Sequence, residues 1–97
     1  MNDINHSSDF YNLSEHEQNT LTSWIDNNIF DGRSLNKRHS SYGMKHIFEH
    51  DPCGFYVTNG MFKGAMMQCG FLPGNAHELN WYYRISEKSP AFRAVRS

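Results

Sequence analysis

The chain has 97 residues, 38% hydrophobic, 20% charged and 14% aromatic, which is enough for one small domain with a modest, ring-rich core and too little for two. Its formal charge of −1 conceals a polarity: residues 1–32 hold six acidic and no basic residues, whereas residues 33–97 hold all nine basic residues against four acidic ones. No apolar run approaches the roughly 20 residues that span a bilayer, "MNDINHSSDF" does not have the pattern of a secretory leader, and two cysteines make no disulfide scaffold. The expectation is a cytoplasmic protein of a bacterial host cell, with no membrane partner.

Residues 1–12 are polar and aperiodic and are expected to form a flexible tail, followed by one domain over residues 13–88 and a C-terminal tail over residues 89–97. "SEHE" opens the first helix: Ser14 caps it, Glu17 completes a capping box, and Leu21, Trp24, Ile25 and Ile29 recur at helical spacing. "RSLNKRHSS" reads as a basic connector. Ser40 or Ser41 then caps a second helix with Met44, Ile47 and Phe48 on one face, ended by Pro52. "GFYV" is short, β-branched and aromatic and reads as a strand. Thr58 or Asn59 caps a third helix with the stripe Phe62, Ala65, Met66 and Cys69, and Gly70 is placed to terminate it. "LNWYYRIS" alternates, with Leu79, Trp81, Tyr83 and Ile85 on one side. The tail after Ser89 can form a short helix that begins at Pro90. The order predicts an α+β fold, a three-helix core with a small two-stranded sheet, winged-helix-like in outline.

Four constellations could carry function. His46 and His50 share a helix face and, with Cys53 and Cys69, supply acceptable zinc ligands, but no close cysteine pair supports a zinc finger. A solvent-facing histidine pair and a packed Cys69 explain them as well, so no metal and no cofactor is expected. No nucleophile elbow, phosphate-binding glycine loop or zinc-protease helix is present, and the adjacent Cys53 and His50 alone do not make a catalytic pair; no enzyme is expected. The basic residues Arg33, Lys37, Arg38 and Lys45, with Asn59 and Lys63 on the third helix and Arg84, Lys88, Arg93 and Arg96 on and after the last strand, fit a DNA reader with helix three in the major groove. Against that, the pI of about 6.6 is low for such a protein. Finally, Gly60 and Gly64, with Lys63 and Met67, make a smooth strip on helix three. Two helix-interior glycines cost about 1 kcal/mol each relative to alanine, so close backbone approach is expected there. That strip, Tyr82 and the acidic residues Glu15, Glu17 and Asp26 form the candidate partner-binding surface.

"SSYGMKHIFEHDPCGFYVTNGMFKGAMMQCGF", with "LNWYYRISEKS" after it, resembles uncharacterised small accessory proteins of phages and bacterial mobile elements over residues 40–89, about half the chain. The resemblance carries no site residues. It implies a setting in which small non-catalytic proteins regulate transcription or disarm host defence, as anti-CRISPR proteins do. The leading expectation is therefore a stoichiometric inhibitor of a host protein or ribonucleoprotein defence complex. The alternatives are a DNA-binding regulator with duplex DNA as its partner and a zinc-stabilised interaction module; a homodimer is a further assembly to test.

Overall fold

The computed structural model describes residues 3–93. Its elements are α1 (Glu15–Asn28), β1 (Asp31–Asn36), α2 (Ser41–His50), α3 (Asn59–Gln68) and β2 (Tyr83–Ile85), with 3-10 turns at Ser7–Asn12 and Pro90–Phe92. This is an α+β fold: three helices and a two-stranded antiparallel sheet. The order helix, strand, helix, helix, strand is consistent with a winged-helix-like arrangement.

Local chemistry sets the helix ends. Ser14 Oγ accepts from the Glu17 amide at 3.1 Å and Glu17 Oε1 from the Ser14 amide at 2.9 Å, the reciprocal capping box. Ser40 Oγ accepts from Gly43 N, and Thr58 Oγ1 from Met61 N, each at 3.1 Å. α3 ends in a Schellman arrangement: Phe71 N donates to Met66 O at 2.9 Å and Gly70 N to Met67 O at 3.0 Å, with Gly70 at φ +91.

α3 is the centre of the molecule. Phe62, Ala65 and Met66 pack against Leu21, Trp24 and Ile25 of α1 and Met44 and Phe48 of α2, with Trp81, Tyr83 and Ile85 joining the same core. Trp24 meets Phe48 edge-on at 5.4 Å and Phe62 at 6.5 Å between ring centroids.

Several expectations are corrected. The N-terminal segment is no loose tail over its described part: residues 3–12 form a strap across α3, with Phe10 buried to 3%. Residues 1 and 2 lie outside the described residues. "GFYV" is not a strand; among the described residues no strand pairs with it, and it runs as an extended segment in which Val57 is buried and Phe55 packs on Phe48. The pairing partner of β2 is instead β1, within the segment read as a connector. Asp31 pairs with Ile85 and Asn36 with Tyr83, so the longer strand bulges against the shorter. Strand β2 is only three residues long, and Leu79 is exposed rather than inward. At the C-terminus Ser89 is fully buried and its hydroxyl accepts from Phe30 N at 2.8 Å, so the domain extends through Pro90–Phe92 instead of ending at residue 88. The rest of the expected tail, residues 94–97 and with it Arg96, lies outside the described residues.

Candidate nucleic-acid interface

The glycine strip has an occupant within the chain. The Gly60 amide donates to Ile4 O at 2.8 Å, and a Cβ on Gly60 would stand 2.7 Å from His6 N and nearer still to His6 O. On Gly64 it would collide with Ser7 O and Phe10. The two glycines are there to let the strap lie against the helix. Lys63, between them, is 3% exposed; its ammonium donates to Asn5 O at 3.1 Å and lies 4.6 Å from the centre of the Trp81 ring. Desolvation lowers its pKa, opposed by the nearby Asp3 carboxylate. Gly60, Lys63 and Gly64 therefore leave the candidate partner surface, and of the strip only Met67 stays exposed.

The same burial removes α3 as a groove reader. Asn59 is 2% exposed: its side-chain amide donates to Asn5 Oδ1, Leu79 O and Asn80 Oδ1 at 2.9–3.2 Å, and its Oδ1 accepts from Ser41 Oγ at 2.7 Å. It ties the strap, α2 and the approach to β2 together. Lys45, also read as a nucleic-acid contact, is 5% exposed, bonded to Glu49 at 3.0 Å and flanked by the rings of Tyr42 and Tyr56. Burial pushes the Glu49 carboxyl up, but the Val57 amide and the Lys45 ammonium hold it below its ordinary value.

The zinc set is not assembled. Among the described residues no three His, Cys, Asp or Glu side chains gather as metal ligands. His50 Nδ1 pairs with His46 O, Cys53 Sγ donates to Asp51 Oδ1 at 3.2 Å, and Cys69 Sγ sits against Thr22 O. The Asp51 hydrogen bond raises the Cys53 thiol pKa, and burial raises that of Cys69 to about 12, so neither is an activated nucleophile. Of the remaining candidate contacts, Glu15 and Asp26 are exposed on α1, Glu17 is engaged in the capping box, and Tyr82 is half-buried with its carbonyl accepting from Gly74 N at 2.9 Å.

What stays on the surface is the basic ribbon. With Lys45 and Lys63 buried, the exposed Lys and Arg side chains of the described residues are Arg33, Lys37, Arg38, Arg84, Lys88 and Arg93. All but Arg93, which follows the 3-10 turn Pro90–Phe92, lie on the β1–β2 ribbon or within three residues of the end of one of its strands. Among the described residues none of them makes an ion pair; those present are His6–Asp3, His39–Glu87, Lys45–Glu49 and His46–Glu49. An open groove of about 690 Å³ runs along the ribbon, lined by Arg33, Lys37, Arg38 and Lys88 with Asp31 and Glu87 as its acidic members. Sequence reading grouped Arg33, Lys37 and Arg38 in a basic connector, with Lys45, which is buried. It did not find the groove, nor the Asn36, His39 and Glu87 cluster at its end, because strand β1 itself was not recognised.

Comparison of the chain with protein-family models, with curated proteins and with solved structures finds no match.

Proposed function

We propose that this is a non-catalytic nucleic-acid-binding protein that uses its β-ribbon, rather than α3, as the contact element. One observation carries the reading: of the six exposed lysines and arginines of the described residues, Arg33, Lys37, Arg38, Arg84 and Lys88 lie on the ribbon or within three residues of the end of a strand, without an ionic partner there. A fold that needed those charges only for solubility would have no reason to gather them. The major groove of B-DNA admits a two-stranded ribbon as well as a helix, and Lys and Arg on such a ribbon meet phosphates on either side. Contacts of this kind position without reading sequence, so binding is expected to be salt-dependent and weakly selective.

The test is fluorescence anisotropy on a labelled random-sequence duplex across a salt series. Each phosphate contact contributes about 0.9 to the slope of log K against log salt. The triple variant Arg33→Gln, Lys37→Gln, Arg38→Gln should lower that slope by about 2 to 3 units. An unchanged slope overturns the assignment to the ribbon.

A second reading is stoichiometric inhibition of a host nucleic-acid-processing defence complex, of the anti-CRISPR type, in the bacterial cytoplasm. It is favoured by the opposite charge of the rest of the surface, with Glu15 and Asp26 exposed on α1, and by the exposed rings of Tyr42 and Tyr56. Retention of such a complex by the immobilised protein, with no retention of free duplex, would favour it over the first.

A further inference from the structure

The groove contains a carboxylate that opposes its own ligand, and that carboxylate is held by a histidine. Glu87 follows β2 and faces the groove beside Lys88. Its Oε2 is 2.9 Å from His39 Nε2, and its Oε1 accepts from Asn36 Nδ2 at 3.0 Å. The His39 ring lies flat on Phe92, with centroids 3.6 Å apart and planes 3° from parallel, so its position is fixed from both sides. Asn36 is fixed in turn, its Oδ1 accepting from the Arg38 amide at 2.9 Å.

We propose that the His39–Glu87 pair makes the ribbon a pH-dependent polyanion site, binding more tightly when His39 is protonated. This rests on the ribbon reading above. With the imidazole protonated, the pair is neutral as a unit and the groove presents Arg33, Lys37, Arg38 and Lys88 against Asp31 alone. With the imidazole neutral, the Glu87 charge stands uncompensated beside the path of a phosphate backbone. The other charged groups around the pair are Arg38 on the turn after β1, Lys88 after Glu87 and Arg93 after Phe92; all are cations that keep their charge throughout the range in which histidine titrates. On α2, which follows His39, the nearest buried charges, Lys45 and Glu49, are paired with each other. The one proton that changes the sign balance of the groove end is therefore the one on His39.

The test measures duplex affinity at fixed salt at about pH 5.5 and about pH 8, either side of histidine's ordinary midpoint. The probe is the labelled random-sequence duplex, and the proteins are wild type, His39→Gln and Glu87→Gln. A unit charge about 4 Å from a phosphate in water corresponds to about a fivefold change in affinity. Wild type should bind about fivefold more tightly at the lower pH, over and above the response that His39→Gln retains from the five other histidines. Glu87→Gln should bind about fivefold more tightly than wild type at about pH 8 and should keep the pH response of His39. If duplex binds, but His39→Gln keeps the full wild-type pH response, or Glu87→Gln binds no more tightly than wild type at about pH 8, the switch is overturned and the ribbon assignment stands. If no protein binds duplex at either pH, both are overturned. If His39→Gln does not fold, His39→Phe, which keeps a ring on Phe92 and removes the proton, takes its place.

Discussion

Replacing Gly60 by alanine separates a reading of helix propensity from a reading of packing, because the two predict opposite signs. In an ordinary helix interior the substitution should stabilise by about 1 kcal/mol. Here the new Cβ would stand 2.7 Å from His6 N and closer to His6 O, both backbone atoms that cannot rotate away, so the strap must lift. Lifting it exposes Phe10, which is 3% exposed in the native fold and whose burial is worth about 2 kcal/mol. It also breaks the Gly60 N to Ile4 O, Asn59 Nδ2 to Asn5 Oδ1 and Lys63 Nζ to Asn5 O bonds, of about 1 kcal/mol each. Against the helix gain, the net loss should be about 2–4 kcal/mol. Gly43→Ala is the internal control: in α2 its Cβ would meet only Ser40 Oγ, at an ordinary 3.7 Å, and the change should stabilise. Urea unfolding of the two variants beside wild type decides it. If Gly60→Ala is as stabilising as Gly43→Ala, the strap does not lie on α3 and the assignment of the glycine strip fails.

Acid should destabilise the fold through two carboxylates. The Asp51 carboxyl is held below its ordinary 3.8, first by the Cys53 amide and also by Trp24 Nε1, and Glu49 is held below 4.5 as described above. Because both pKa values are lowered in the folded state, their stabilisation is complete above those ordinary values and is lost as pH falls through the lower folded ones. The urea midpoint should fall with acidification below pH 4.5, and Asp51→Asn should be less stable at neutral pH with a shallower acid decline. Cys53 is exposed yet should alkylate slowly at mildly alkaline pH, and Asp51→Asn should speed it, as followed by mass spectrometry. Removing metal with a chelator should leave the melting temperature unchanged, because the Cys53, Cys69 and His50 side chains are each engaged elsewhere and the His46 ring meets Glu49; a fall would restore the zinc module.

The features legible in the sequence were those whose causes are local. Ser14 and Glu17 are three residues apart, and so are Thr58 and Met61, so each cap is written within one turn. Gly70 announces the end of α3 by needing a positive φ. The inward set Trp81, Tyr83 and Ile85 followed from alternation, although Leu79 at the start of that run found no core to enter. What stayed hidden depended on distant partners. "DGRSLN" has no apolar alternation, and it is a strand because β2, some fifty residues later, pairs with it. "GFYV" has strand composition and no partner strand among the described residues. The glycine strip correctly signalled close backbone approach, but the backbone that approaches belongs to residues 4–7 of the same chain. That misplacement turned Gly60, Lys63, Gly64 and Asn59 into surface residues and left the ribbon, where the exposed cations gather, without an outline.

On this reading the ribbon, and not α3, meets nucleic acid. The most direct measurement is a titration of isotope-labelled protein with random-sequence duplex, followed amide by amide by NMR. Shifts concentrated over residues 31–38 and 83–88, with residues 59–68 nearly still, are the predicted outcome. Shifts centred on residues 59–68, or a spectrum indifferent to duplex at low salt, would contradict it.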